Sequence, residues 1–303
     1  MHDIIIIGGG PAGLTAALYA LRAGKSVLVI EKSSFGGQIT WSPKVENFPG
    51  IPSISGAELG DKLTAQAIEQ GAELELDEVV SVELDGDIKR VKTDFGGVFE
   101  AKALIIATGA RPRTLGVPGE DEFMGAGVCF CAVCDGAFYK GREVAVTGGG
   151  NSALQDAVLL SDTCSKVYII HRRDSFRGEA RLVEALRTKD NVEFVLNSSI
   201  TALLGQGELC GVRIAGSDGT ERELAVDGLF VAIGHAPDNG IFSDLIDLDE
   251  GGYADSDESC RTKTQGVFVA GDCRRKAVRQ LTTAAADGSC AALAACRYID
   301  ALE

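Results

Sequence analysis

The chain opens on an unbroken apolar run, Ile4-Ile5-Ile6-Ile7, that passes directly into Gly8-Gly9-Gly10-Pro11-Ala12-Gly13. After these glycines the apolar positions change period. Leu14, Ala17, Leu18 and Leu21 recur at helical spacing, and Gly24 stops the run. A second apolar stretch, Ser26 to Ile30, ends on Glu31. Strand, glycine turn, helix and strand predict a βαβ unit with GxGxxG at its first turn. The succession returns further on. Glu143-Val144-Ala145-Val146-Thr147 leads into Gly148-Gly149-Gly150-Asn151-Ser152-Ala153, a helical Leu154 to Leu160, and a strand Val167 to Ile170 that ends at His171. Gly8 and Glu31 are 23 positions apart, as are Gly148 and His171.

A third element repeats as well: ALIIATGARP at 103–112 and GLFVAIGHAP at 228–237. One glycine turn alone says little, but two copies with equal spacing and matching closing segments predict an α/β chain of two Rossmann-like, three-layer ββα dinucleotide-binding domains. The buried run Val267 to Ala270, leading into Gly271-Asp272, needs a sheet to join, so the second domain is expected as an insertion in the first. The expected bounds are 1–114 with 246–303 for the outer domain and 115–245 for the inner one, with crossovers near Thr114–Gly119 and Ile241–Leu248.

The two copies differ where a strand end meets the adenosine ribose. An acidic side chain there accepts ribose hydroxyl hydrogen bonds and repels a 2′-phosphate. Glu31 therefore suits FAD or NAD. His171, followed by Arg172, Arg173 and Arg177, suits NADPH, because guanidinium forks pair with phosphate. A solvated basic turn is the bland alternative. It is weakened by the spacing and by a net charge of −15 in a chain of pI about 4.7. Such acidity also argues against nucleic acid and anionic membranes as partners. No apolar run approaches the roughly 20 residues of a membrane span, and the first strand begins almost at Met1, so no signal peptide is expected. The nine Cys are odd in number and scattered, which favours a cytoplasmic setting with one pair reserved for chemistry.

That pair is Cys131-Ala132-Val133-Cys134, with Asp135-Gly136 following. Two intervening residues let a disulfide close, and the CxxC setting lowers a thiol pKa below the free value of about 8.5. A zinc site would need four ligands, and only three His and no second CxxC are present. Cys129 makes a C-x-C-x-x-C run that keeps a metal reading open, although no metal is expected. Asp135 is placed to move protons if its pKa is raised toward neutrality; a plain Asp-Gly turn is the other reading.

Together GGGPAG with Glu31, GGQ at 36–38, VENFPG at 45–50, ATGARP, CAVCDG, GGGNSA, HRRDSFR, GDC at 271–273 and Arg279-Gln280 resemble the successive motifs of the low-molecular-weight thioredoxin reductases, over nearly the whole chain. The resemblance implies a homodimer that transfers hydride from NADPH to FAD, and then two electrons to a Cys131–Cys134 disulfide that reduces thioredoxin. It implies Cys134 facing the flavin, Cys131 attacking thioredoxin and Asp135 as acid–base. It places FAD on Gly8, Gly10, Pro11, Ala12, Gly13, Glu31, Lys32, Gly36, Gly37, Gln38, Asn47, Thr108, Gly109, Gly271, Asp272, Arg279, Gln280 and Leu281. NADPH falls to Gly148, Gly150, Asn151, Ser152, Ala153, His171, Arg172, Arg173 and Arg177.

Three departures stand out. Ala137 precedes Phe138 and Tyr139 where the family often has two aromatics before Tyr. Gln155-Asp156 stand where two Glu are common, a mild change. Cys273 follows Gly271-Asp272 and reads as a buried small residue. A related flavin disulfide reductase or oxidase serving another dithiol partner is the nearest alternative, yet such oxidases tend to lose the Asp and the Arg cluster kept here. A non-catalytic flavin sensor would need neither CxxC-Asp nor a full nucleotide set.

Overall fold

Each apolar run becomes a buried central strand in the computed structural model, which describes residues 1–302. The chain divides into two units, Met1–Arg111 with the chain from Ala236 onward, and Pro112–His235.

In the first unit seven strands form one sheet. Its path runs Glu73–Leu76, Val27–Glu31, His2–Ile7, Val98–Ile106, Ile88–Thr93, Val79–Asp85, and Val267–Val269 pairs with Val98–Ile106 as well. The glycine turn forces the chain out of the sheet after Ile7, so the next strand returns parallel, with Ile4 opposite Val27 and Ile7 opposite Ile30. Ile4, Ile5 and Ile6 are fully buried, as a central strand covered on both faces requires. Burying each such side chain contributes about 1.5–3 kcal/mol. The late run Val267–Val269 lies parallel to Leu104–Ile106, so residues far apart in sequence close one sheet. Helix Pro11–Arg22 packs on helix Leu281–Asp300. The approach is close because the contact is Ala- and Gly-rich: a Cβ on Gly288 would overlap the Ala12 carbonyl.

Phe242, Leu245 and Ile246 pack into this unit's core with Ile5, Ile106 and Val269. The return of the chain thus comes at Ala236, ahead of the Ile241–Leu248 stretch, and the departure comes at Pro112, just ahead of Thr114. Burial of those apolar side chains, rather than any change in composition, sets the later position.

The second unit carries a five-stranded parallel sheet in the order Val192–Val195, Lys166–Ile170, Glu143–Thr147, Gly228–Val231, Val128–Cys129. A three-stranded antiparallel sheet, Ser198–Gln206, Glu208–Gly216 and Glu221–Ala225, supplies its second layer. Helices Asn151–Ser161 and Ala180–Arg187 complete it. The sequence repeat is also a hydrogen-bond repeat. Gly8 N–H donates to the Ile30 carbonyl at 2.8 Å and Gly148 N–H to that of Ile170 at 3.2 Å. Gly36 N–H reaches the Gly9 carbonyl, and Arg177 N–H the Gly149 carbonyl, each at 2.8 Å. Among the described residues no helix is long and apolar enough to cross a membrane, and no cluster of three or more His, Cys, Asp or Glu could hold a metal ion.

Candidate redox and nucleotide-binding sites

In the first unit the Gly8–Gly13 turn is locked by sterics. Gly8 has φ +109, and a Cβ there would overlap the Ala107 carbonyl; one on Gly13 would overlap that of Gly8. Helix Pro11–Arg22 starts on Gly10 with no side-chain cap and Pro11 in its first turn. Its first-turn N–H groups are therefore offered to an anion, and the helix dipole favours one there. Glu31 ends its strand with one carboxylate oxygen accepting from Gly9 N–H at 2.7 Å and the other from the Ser33 N–H at 2.9 Å. A carboxylate has lone pairs to spare for ribose hydroxyls.

Gly37 and Gly10 approach so closely that a Cβ on Gly37 would lie 2.9 Å from the Gly10 Cα. Gln38 donates to the Ala110 carbonyl at 2.9 Å, and Thr108 donates to Asn239 Oδ1 at 3.1 Å. Asn47 donates to Gln280 Oε1 at 3.4 Å, and Gln280 caps helix Leu281–Asp300 in a capping box with Thr283. Gly271 sits against Ala12. Arg279 donates to the Asp272 carbonyl at 3.5 Å while its guanidinium covers the Tyr253 ring at 4.3 Å. The fold thus gathers these residues around one glycine turn. Lys32 differs: it pairs with Asp238 at 2.5 Å and Glu78 at 3.2 Å.

Two supports of this cradle carry no sequence motif. Buried Asn239 donates to the carbonyls of Gly252 and Cys273, at 3.0 and 2.8 Å, so it ties three chain segments together. Asp287, in the middle of helix Leu281–Asp300, accepts from Gly271 N–H, Arg274 and Lys276. An Asn following Pro237-Asp238 and a carboxylate in an Ala-rich helix were the available signals. Cys273 is fully buried, its thiol donating to the Ala270 carbonyl at 3.2 Å, and burial pushes its pKa up.

In the second unit, helix Asn151–Ser161 starts on Gly150, again without a side-chain cap. Nothing lies within 4 Å of where a Gly150 Cβ would stand, so the turn has an open face. Asn151 braces the turn's far side, its Oδ1 accepting from Glu179 N–H at 2.7 Å. Gly178, unremarked in the motifs, permits this closeness, because a Cβ there would come 3.0 Å from Asn151 Oδ1.

His171 turns inward. Its ring is buried, lies where a Gly149 Cβ would be, stacks on Phe176 with centroids 5.2 Å apart, and has Nε2 3.1 Å from the Ser175 carbonyl. Burial, helped by repulsion from Arg173, Arg172 and Arg177, pulls its pKa down. It is therefore a wedge under the glycine turn, held toward its neutral form. Arg172, Arg173 and Arg177 are exposed, and among the described residues none has a carboxylate partner. Uncapped N–H groups, open glycine and unpaired guanidinium groups make a donor set that fits a nucleotide with an extra phosphate.

Cys131 and Cys134 form a disulfide, with Cα atoms 5.3 Å apart, spanning the short helix Ala132–Asp135. Cys134 N–H donates to Cys131 Sγ at 3.2 Å, an interaction that favours negative charge on Cys131 once the bond opens. Asp135 is half-buried, and burial pushes its carboxyl up to about 6. A carboxyl there both gives and takes protons near neutrality. Cys129 is buried; burial, and then the Asp135 charge, push its thiol up to about 12, while its Sγ lies 3.4 Å from the Tyr139 hydroxyl. It stays a thiol. Ala137 is exposed, as is Val133 between the two cysteines.

The family model described as pyridine nucleotide-disulphide oxidoreductase matches residues 2–288. A thioredoxin reductase of Listeria monocytogenes is 42% identical over 305 residues, covering 100% of this chain and 95% of that protein. A bifunctional thioredoxin reductase/thioredoxin of Mycobacterium leprae is 43% identical over 302 residues, 99% of this chain and 66% of that longer protein. Among solved structures, the thioredoxin reductase of Streptococcus pyogenes superposes with a TM-score of 0.94 at 39% identity, over 99% of each chain. Matched from its first strand into its last helix, the chain belongs to the pyridine nucleotide-disulphide oxidoreductase family.

Proposed function

We propose that this protein is an NADPH-dependent flavoprotein that reduces the active-site disulfide of thioredoxin. The observation that carries the reading is the Cys131–Cys134 disulfide beside a carboxyl raised to about 6, in the same unit as a glycine turn flanked by unpaired arginines. Residues 1–111 with 236–303 would hold FAD, on the Gly8–Gly13 turn, Glu31 and the Gly271–Leu281 segment. Residues 112–235 would hold NADPH, with Arg172, Arg173 and Arg177 on the 2′-phosphate and His171 supporting the turn from beneath. When bound, FAD supplies a two-electron relay between a reduced nicotinamide and a disulfide.

The chain's own residues do the rest. Once reduced, Cys131 attacks one sulfur of the thioredoxin disulfide as a thiolate; a mixed disulfide forms and the other thioredoxin sulfur leaves. Asp135 gives that leaving thiolate its proton. Asp135, now a carboxylate, takes the proton of Cys134, which then attacks Cys131 Sγ, re-forms the intramolecular bond and releases the second thioredoxin sulfur, which takes up a proton. Two electrons have passed to thioredoxin and the enzyme disulfide is restored. The Cys134 N–H aimed at Cys131 Sγ and the raised carboxyl of Asp135 suit these two roles. By family likeness the protein works as a cytoplasmic homodimer.

The test is NADPH oxidation with thioredoxin as acceptor. Turnover in the parent protein, and its loss in Cys131→Ser with NADPH-to-flavin reduction intact, is the expected result. Bound flavin with no thioredoxin turnover would overturn the reading and favour a sensor.

A further inference from the structure

One cavity of the first unit lies apart from its glycine turn. Its volume is about 410 Å³, within the range of small-molecule sites. It opens between the turn that leads into strand Val267–Val269 and the end of helix Leu281–Asp300. That helix starts on Gln280, one of the residues gathered around Gly8–Gly13, and its 20 residues carry the chain about 30 Å away from them.

The cavity is cationic in a chain of net charge −15. Arg261 and Arg297 line it, both are exposed, and among the described residues neither makes an ion pair. A third cation is buried behind its wall. Lys89 points inward from strand Ile88–Thr93, as Val91 and Thr93 do, and is 1% exposed. Its ammonium donates to the Asp87 carbonyl at 2.9 Å and to the Tyr298 hydroxyl at 3.2 Å. The third N–H has no acceptor, and no carboxylate forms an ion pair with it, among the described residues. Gly266, with φ +73, permits this placement: a Cβ there would stand 2.4 Å from Lys89 Nζ and 2.5 Å from Tyr298 Cε1. Gly266 and Tyr298 themselves line the cavity. Because the Tyr298 oxygen accepts from Lys89, its own O–H is left to donate. Holding an ammonium out of water without a counter-charge is costly. Burial accordingly pulls the Lys89 pKa down, partly offset by the charge of Asp87. The carboxylate at the helix end, Asp300, is taken by Lys25 at 2.5 Å.

From this arrangement we propose that the cavity is a binding site for a phosphate monoester. The guanidinium forks of Arg261 and Arg297 take the phosphate oxygens, the Tyr298 hydroxyl adds a donor, and Lys89 supplies charge from behind Gly266. Three cations match a dianion better than a single carboxylate. Phe268, edge-on to Tyr298 with ring centroids 6.4 Å apart, and Leu302 give the organic part an apolar wall.

Equilibrium dialysis of radiolabelled inorganic phosphate against the holoprotein tests this, with NADP⁺ added to fill the 2′-phosphate site and potassium chloride holding the ionic strength. A single retained phosphate per chain is expected. Arg261→Ala combined with Arg297→Ala should weaken retention by about 100-fold, from the loss of two charge-assisted contacts. Lys89→Met, which keeps the stem and removes the charge, should weaken it by about tenfold. Bound flavin at the parent level shows that each variant is folded. Phenyl phosphate should displace the label at lower concentration than inorganic phosphate does. No retained phosphate in the parent, or equal retention by the parent and the double Arg variant, would overturn the site. Displacement no better by phenyl phosphate would overturn the role of the apolar wall.

Discussion

Replacing Asp287 by Ala removes the anchor of the Gly271–Cys273 turn, and its effect can be worked from the contacts. One carboxylate oxygen accepts from Gly271 N–H at 3.0 Å, Arg274 Nε at 2.9 Å and Lys276 Nζ at 2.9 Å; the other accepts from Arg274 Nη2 at 2.9 Å. The side chains of Arg274, Lys276 and Asp287 are only 4%, 8% and 7% exposed. Burial alone would raise the Asp287 carboxyl, but the hydrogen bonds from Arg274 and Lys276 outweigh it and hold the group below its usual range. Breaking a buried pair by removing one partner costs about 3–5 kcal/mol. The carbonyls of Ser256 and Asp257 still hold Arg274, at 3.2 and 3.1 Å, which favours the lower end.

A loss of about 3 kcal/mol in a unit of this size lowers the melting temperature by about 6–12 °C. Thermal unfolding followed by circular dichroism reads this, and flavin fluorescence reads release of the cofactor, which should come at lower temperature too. A depressed carboxyl contributes stability above its unfolded pKa of about 3.9 and loses it as pH falls through the folded value. The gap between the two proteins should therefore be full at neutral pH and close in strong acid. A shift under about 2 °C at neutral pH, or a gap that persists in acid, would refute the reasoning.

Replacing Arg172 and Arg173 together by Ala should raise KM for NADPH by about 100-fold, from the loss of two charge-assisted contacts, with little change for NADH; equal effects on both would contradict phosphate recognition. Gly149→Ala drives a Cβ into the His171 ring, so NADP⁺ binding by calorimetry should weaken sharply while flavin content holds; Gly150→Ala, with open space around it, should be milder. Asp135, raised to about 6, stabilises the fold fully below its unfolded pKa and loses that contribution as pH rises through 6. Asp135→Asn should therefore melt higher relative to the parent at pH 8 than at pH 5, by at most about 3 kcal/mol, while thioredoxin turnover falls; a constant difference across this range would contradict the raised carboxyl.

The sheets were legible because their signals are local. Ile4–Ile7 and Val144–Val146 are apolar runs closed by glycine turns, and the repeated spacing from Gly8 to Glu31 and from Gly148 to His171 fixes both βαβ units. The redox pair was legible for the same reason, being four adjacent residues. Side-chain direction was not. The sequence does not say which way His171 points at its strand end, and only packing under Gly149 makes it a wedge. Asn239 and Asp287 act on Thr108, Cys273 and Arg274 across the fold, and such pairings leave no periodicity.

Electrons from a reduced nicotinamide are expected to arrive at one pair of sulfurs. Counting free thiols in the denatured protein before and after anaerobic addition of NADPH measures that arrival. Two new thiols per chain, mapping to Cys131 and Cys134, are the expected result. A flavin that bleaches while the thiol count stays the same, or new thiols at other cysteines, would contradict it.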